Sequence, residues 1–206
     1  MAETRIKICG ITNRTDALVA ERLGADALGF VFAPSKRKVS SKTAREIIKV
    51  VGPFVKTVGI FMNASLDEVN RIANYTGIDI VQLHGSETPE YCDLVERKVI
   101  KRIPVYTDDS TNILIERFKD YTGCTLLFDP GAGNGKPFDW KKLEGIELPF
   151  IIAGGLNPDN IKEVVTYLKP YAVDVSSGVE KSPGKKDIEK LKRFIKEVRQ
   201  CSKQEL

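Results

Sequence analysis

Two residues that could exchange protons with a substrate stand at the ends of predicted β-strands. Cys9 ends the segment RIKIC, and Asp129 ends the segment TLLFD. A thiolate can act as a general base, and a protonated carboxyl group can act as a general acid. The chain has one histidine, His84, so a mechanism that needs two histidines is excluded. Cys9 and Asp129 are therefore the predicted catalytic pair.

Short β-rich segments alternate with helical segments along the whole chain. The predicted strands are Arg5–Cys9, Ala27–Phe32, Val55–Phe61, Asp79–Leu83, Val99–Ile103, Thr125–Asp129, Phe150–Ala153 and Ala172–Val175. The predicted helices are Asp16–Leu23, Thr43–Val50, Leu66–Asn74, Glu90–Arg97, Thr111–Phe118, Trp140–Leu143, Asn157–Leu168 and Asp187–Arg199. Strict alternation indicates parallel strands joined by right-handed crossovers. Eight repeats predict the α/β class, as a single (β/α)8 TIM barrel that forms one domain over residues 1–206.

A doubly wound open sheet is the alternative fold. Such a sheet would carry a glycine-rich phosphate loop after its first strand, whereas this chain has CGIT there and its glycines concentrate later. The 206 residues are few for a closed barrel, which typically has about 250. The strand count nevertheless favours closure.

The alternation of side chains along a strand predicts an ion pair inside the barrel. Lys7 shares a strand face with Cys9, and Asp174 lies on the inward face of the last strand. The first and last strands of a closed barrel are neighbours. We therefore expect Lys7 and Asp174 to pair, since a buried lysine without a partner would be costly.

Two glycine-containing segments near the end of the chain predict a phosphate site. IIAGGLNP follows the seventh strand, and VDVSSGVE follows the eighth. Phosphate sites of (β/α)8 barrels are formed by these two loops and a short helix N-terminus. Each loop taken alone is more typical of a tight strand-to-helix turn, but the two together in this order favour phosphate, with Gly154, Gly155, Ser177 and Gly178 as the predicted ligands.

Three further polar residues are predicted at the rim of the barrel where the carboxyl ends of the strands meet. Arg37, in the loop after the second strand, could bind a carboxylate through two hydrogen bonds or could simply be solvated. Gln82 and His84 share a face at the end of the fourth strand. His84 could contact a ligand, but a hydrogen bond at the rim is favoured. With Asp174, these residues complete the predicted binding set.

A third glycine-rich segment, DPGAGNGKPFDW, follows the sixth strand. It resembles a P-loop superficially, but Pro137 stands where that motif needs serine or threonine. We interpret the segment as a mobile flap with Asp129 at its base and with Phe138 and Trp140 anchoring its return to the barrel.

Composition excludes several functional classes. The formal net charge is +4, with basic and acidic residues mixed along the chain, so nucleic acid is not a predicted partner. The basic runs at 36–38 and 185–186 are expected to be solvated. No apolar run approaches the ~20 residues of a membrane span, and the N-terminus leads directly into a strand, so we predict a cytoplasmic protein without a signal peptide. Cys92, Cys124 and Cys201 are predicted to be structural.

The spacing of cysteine and histidine predicts no metal site, since there is neither a CxxC pair nor a second histidine.

Six short motifs occur in a fixed order along the chain. They are KICGIT at 7–12, GFVF at 29–32, VQLHG at 81–85, FDW at 138–140, AGGLN at 153–157 and VDVSSGVE at 173–180. From about residue 5 to residue 194, the chain resembles the phosphoribosylanthranilate isomerases of tryptophan biosynthesis.

The resemblance implies a (β/α)8 barrel, no cofactor, a phosphosugar substrate and a monomer or homodimer. It implies an Amadori rearrangement of N-(5-phosphoribosyl)anthranilate to 1-(2-carboxyphenylamino)-1-deoxyribulose 5-phosphate, the third step from chorismate. It assigns Cys9 as general base, Asp129 as general acid and Arg37 as the contact of the anthranilate carboxylate. A thiolate at Cys9 requires a cationic neighbour, and Lys7 is expected to bring its pKa near neutrality.

Two other readings stay open on the sequence: another phosphosugar enzyme of the barrel type, and a binding protein without turnover. Among the enzymes, isomerases of the related histidine-pathway step use paired aspartates, which Cys9 does not match. Pentose-phosphate epimerases need several metal-binding histidines, which the chain cannot supply. A phosphometabolite-binding protein without turnover would keep the glycine loops, and Cys9 together with Asp129 argues against it.

Overall fold

The computed structural model describes residues 3–131 and 139–203. Eight parallel strands close into one barrel in the order β1 to β8, which confirms the predicted fold and excludes the open sheet. The strands are β1 Arg5–Ile8, β2 Ala27–Val31, β3 Lys56–Phe61, β4 Ile80–Leu83, β5 Lys98–Pro104, β6 Thr125–Asp129, β7 Phe150–Ile152 and β8 Ala172–Val175. Closure joins β1 to β8, with Lys7 opposite Asp174.

Helices cover the outside of the barrel. They are α1 Arg14–Leu23, α2 Ser41–Ile48, α3 Leu66–Thr76, α4 Pro89–Asp93, α5 Thr111–Phe118, α6 Ile161–Leu168 and α7 Ile188–Lys203. Two 3-10 turns, Trp140–Leu143 and Ser177–Val179, complete the set. No helix among the described ranges combines the length and apolar character needed to cross a membrane.

Two helices are shorter than the sequence predicts. The fourth ends at Asp93 rather than Arg97, because the chain turns at Leu94 to enter β5. The seventh predicted helix begins at Ile161 rather than Asn157. Asn157 and Asn160 both donate side-chain hydrogen bonds to the Gly155 carbonyl, and these contacts hold the preceding residues in a turn.

A hairpin that the sequence analysis missed follows the second 3-10 turn. Its antiparallel strands are β9 Glu180–Ser182 and β10 Lys185–Lys186. Lys186 has a relative exposure of 2%, so the prediction that the basic run at 185–186 is solvated is wrong for this residue. The physical reason is that its ammonium group lies 2.9 Å from a carboxylate oxygen of Glu180.

Apolar residues form two layers around the strands. Ile6, Ile8, Val173 and Val175 pack outward with the helices, as predicted. A smaller cluster fills the barrel interior with Val58, Ile100, Leu127, Ile151, Ala153 and Ala172. One layer nearer the carboxyl ends of the strands, Lys7 Nζ lies 2.8 Å from Asp174 Oδ2. The predicted ion pair is therefore confirmed.

Candidate active site

A cavity of about 720 Å³ opens at the carboxyl ends of the barrel strands. Nine of the ten predicted site residues line it, namely Cys9, Arg37, Gln82, His84, Asp129, Gly154, Gly155, Asp174 and Ser177. Gly178 lies behind the wall, where a Cβ atom would collide with the carbonyl of Leu156. Barrel closure therefore brings the predicted base, acid and phosphate loops to one opening.

Unsatisfied polar atoms concentrate at this cavity. Among the described residues, the buried side-chain atoms without a hydrogen-bond partner are Gln82 Oε1, Arg102 Nε, Asp174 Oδ1 and Ser176 Oγ. All four residues line the cavity. Because buried polar groups are almost always hydrogen-bonded in proteins, this concentration indicates a site for a polar ligand.

Cys9 stands directly after β1 and is half-buried. Burial raises the pKa of its thiol, while the positive charges of Lys7 and Lys186 lower it. The net pKa is raised, because burial outweighs the two lysines and the negative charge of Asp174 acts in the same direction as burial. The expectation that Lys7 brings the thiol pKa near neutrality is therefore wrong for this structure.

Asp129 ends β6 and faces His84. Its Oδ1 accepts a hydrogen bond of 2.8 Å from the Gly131 amide, and its Oδ2 lies 3.7 Å from His84 Nε2. Gln82 Nε2 lies 3.3 Å from His84 Nδ1. Since the Gln82 amide nitrogen can only donate, Nδ1 is the acceptor and the ring proton belongs on Nε2, toward Asp129. Burial lowers the pKa of His84, which favours this neutral form.

Arg37 reaches back across the loop after β1 rather than into solvent. A Cβ atom at Gly10 would lie 2.6 Å from Arg37 Cδ, so this close passage requires glycine. Arg37 Nε and Nη2 donate to the Glu180 carboxylate at 2.9 and 2.7 Å, and only 16% of the Arg37 side chain is exposed. The alternative of a solvated loop charge is therefore wrong for Arg37.

The loops after β7 and β8 present unpaired backbone donors. Gly154 and Gly155 have φ angles of +92° and +67°, a conformation that favours glycine. Within the described part of the chain, the N–H groups of Gly155 and Ser177 have no protein acceptor. Both residues line the cavity. Free amides beside a 3-10 turn suit an anion such as phosphate.

Comparison with known proteins places the chain in a family. The sequence model described as N-(5'phosphoribosyl)anthranilate (PRA) isomerase matches residues 6–197. The chain belongs to the PRA isomerase family. A Geobacter PRA isomerase is 47% identical over 97% of this chain and 100% of the relative.

Solved structures of PRA isomerases have the same fold. The crystal structure of the Thermotoga maritima protein has a TM-score of 0.88 and 41% identity, covering 95% of this chain and 98% of that one. A second structure, with a TM-score of 0.86, 40% identity and the same coverage, is a complex with reduced 1-(o-carboxyphenylamino)-1-deoxyribulose 5-phosphate.

Arg102, Glu180 and Lys186 contribute to the site of this PRA isomerase family member but are absent from the predicted set. Arg102 lines the cavity and its Nη2 donates to the Asp129 carbonyl at 3.1 Å. Side chains alternate between the two faces of a strand, so Arg102, two residues after the inward-facing Ile100 on β5, could have been predicted to point into the barrel. Glu180 ends the VDVSSGVE motif and Lys186 belongs to the basic run at 185–186, but no local pattern connects the two residues or gives either a role.

Most of the predicted flap, residues 132–138 including Phe138, lies outside the described residues. At its far end, the Trp140 ring packs edge-on against Tyr167, with centroids 5.3 Å apart. Cys92, Cys124 and Cys201 are free and do not line the cavity.

Proposed function

We propose that this chain catalyses the Amadori rearrangement of N-(5-phosphoribosyl)anthranilate, the third step of tryptophan synthesis from chorismate. The observation that carries the proposal is the shared cavity, where Cys9 and Asp129 face the same space as the glycine loops after β7 and β8. Family membership and the complex of a relative with the reduced aminoketose support it.

In the proposed reaction, the phosphate binds the free amides of Gly155 and Ser177, and the sugar lies between Cys9 and Asp129. Asp129 gives its proton to the furanose ring oxygen, and the C1–O bond breaks to form an iminium ion. The iminium acidifies the C2–H bond, and the Cys9 thiolate removes that proton. The resulting enaminol carries a hydroxyl group at C2. It gains a proton at C1 and loses the hydroxyl proton to give the ketone; one proton is returned by Cys9 and the other is taken up by Asp129, so both groups regain their starting forms. The product is an isomer, so no oxidant, reductant or cofactor enters the proposed sequence.

The roles of the remaining groups follow from their positions. Arg37 has donors left after binding Glu180, and we assign these to the anthranilate carboxylate. His84 holds the Asp129 carboxyl group toward the sugar. General acid and general base catalysis each contribute typically 10²–10⁴-fold, so the pair supplies a large part of the rate enhancement.

The same proposal extends to assembly and location. We propose a monomer or a homodimer, since a Thermotoga maritima relative is described as dimeric and has also been made monomeric. We propose the cytoplasm as its location, because the four cysteines are free and a reducing compartment keeps thiols in that state.

The test is a fluorescence assay of the purified full chain with freshly prepared N-(5-phosphoribosyl)anthranilate. We expect the substrate fluorescence to decay at a rate proportional to enzyme concentration, with the aminoketose as the product detected by chromatography. Saturable binding of the substrate without any turnover would instead establish the phosphometabolite-binding alternative.

A further inference from the structure

The β9–β10 hairpin places a buried carboxylate directly behind Arg37. Only 4% of the Glu180 side chain is exposed. Glu180 Oε1 accepts from Arg37 Nε at 2.9 Å, and Oε2 accepts from Arg37 Nη2 at 2.7 Å. This two-pronged contact fixes the plane of the guanidinium group, because both hydrogen bonds lie in that plane.

The contact also decides which donors of Arg37 stay free. Of the five N–H bonds of the guanidinium group, the carboxylate takes the one on Nε and one on Nη2. The other N–H bonds, on Nη1 and the far side of Nη2, form the edge that remains for a ligand. Gly10 confines the aliphatic part of the same side chain. Arg37 is therefore held in one rotamer before substrate arrives, which lowers the entropic cost of binding.

Lys186 ties Glu180 to the catalytic strand. Its side chain is 1% exposed, and its ammonium group donates to Glu180 Oε1 at 2.9 Å, to the Cys9 carbonyl at 2.6 Å and to the Ser176 carbonyl at 3.3 Å. With two cations and one carboxylate, the Arg37–Glu180–Lys186 cluster keeps one net positive charge. The cluster therefore holds Arg37 in place without cancelling the attraction of this wall for an anion.

We propose that Glu180 is a positioning residue for the substrate carboxylate: it orients the free edge of Arg37 toward the cavity, with Lys186 anchoring it to the backbone at Cys9. This inference rests on the proposed function. It extends that function by assigning the β9–β10 hairpin a part in carboxylate recognition, through Arg37 rather than by touching substrate.

A double-mutant cycle tests the proposal with N-(5-phosphoribosyl)anthranilate as substrate. We expect Glu180→Gln to raise KM about tenfold and to change kcat less than threefold, because Arg37 binds but does not react. Arg37→Met should raise KM at least as much. Adding Glu180→Gln to Arg37→Met should raise KM less than a further threefold, since the two residues act as one unit.

Asp109→Asn provides the matched control. Asp109 binds Arg117 through an equivalent two-pronged contact at 2.6 and 2.8 Å, with a similarly buried carboxylate. The Asp109→Asn substitution should lower the midpoint of urea denaturation and leave KM within about twofold of the wild-type value. If Glu180→Gln does not fold, Glu180→Gln with Lys186→Met removes both buried charges together and takes its place in the cycle.

The outcomes separate this inference from the function on which it rests. Absence of turnover by the wild-type protein would refute the proposed function. Wild-type turnover combined with independent, multiplicative effects of Glu180→Gln and Arg37→Met on KM, or with a loss confined to kcat, would overturn the positioning role alone.

Discussion

Lys7 and Asp174 form an ion pair inside the barrel, one layer below Cys9, across the seam where β1 meets β8. Both side chains are almost fully buried. Burial by itself lowers the pKa of Lys7, but the charges of Asp174 and Cys9 together with its hydrogen bonds to them outweigh burial, and the net pKa is raised. Lys7 therefore stays charged at neutral pH, and the pair closes the barrel at the floor of the cavity.

Asp174→Asn should destabilise the fold strongly, because it leaves the Lys7 ammonium group buried without a counter-charge. The expected loss is about 3–5 kcal/mol in the free energy of unfolding, measured by urea denaturation at pH 7. Lys7→Met combined with Asp174→Asn should recover part of this loss. Glu46→Gln, which breaks the exposed contact with Lys49, should cost less than about 1 kcal/mol. An Asp174→Asn protein as stable as wild type would contradict this account.

Cys9→Ser and Asp129→Asn should each lower kcat at least about 100-fold with little change in folding. A serine hydroxyl is a much weaker base than a thiolate, and an amide cannot deliver the proton that opens the furanose ring. Cys124→Ala, which removes a half-buried thiol outside the cavity, should leave kcat within about twofold. Near-normal turnover by either site variant would remove that residue from the proposed mechanism.

The pH dependence of Cys9 alkylation should report the raised pKa of its thiol. Burial raises that pKa, and only the thiolate reacts with iodoacetamide, so the midpoint of alkylation, followed by mass spectrometry, should lie above that of a free thiol. Lys186→Met removes a charge that lowers this pKa and should move the midpoint to still higher pH. A midpoint below that of a free thiol would be inconsistent with the structure.

Gly154→Ala should reduce activity beyond its effect on stability. The φ angle of +92° disfavours any side chain, and a Cβ atom would also collide with Pro130 and lie 3.3 Å from Asp129 Oδ1. We expect kcat/KM to fall at least about tenfold, because the acid is displaced. Gly77→Ala is the control, since Gly77 has a φ angle of +78° but nothing lies within 4 Å of its Cβ position. It should lose roughly 1–2 kcal/mol of stability with normal kinetics. Equal kinetic effects of the two variants would refute the steric explanation.

Local patterns in the sequence were sufficient for the barrel and for the positions of Cys9 and Asp129. Side chains return to the same face of a strand every two residues and to the same face of a helix about every 3.6 residues. Short stretches of sequence therefore reveal both element types and the face on which each side chain lies. Because parallel strands end at a common rim, strand-end residues could be placed around one cavity. The Lys7–Asp174 pair followed from the same alternation once closure was assumed.

Local sequence patterns do not predict contacts between segments that are distant along the chain. Arg37 and Glu180 are separated by 143 positions, and the β9–β10 hairpin buries Lys186 against a carboxylate that no local signal connects with it. The raised pKa of Cys9 likewise depends on the balance among burial, Lys7, Asp174 and Lys186. Periodicity along the chain is thus enough to reveal most of the elements, the barrel and the chemical groups at its rim. The Arg37–Glu180–Lys186 contacts and the balance of charges around Cys9 depend instead on distances that are set when the barrel closes and the hairpin folds against it.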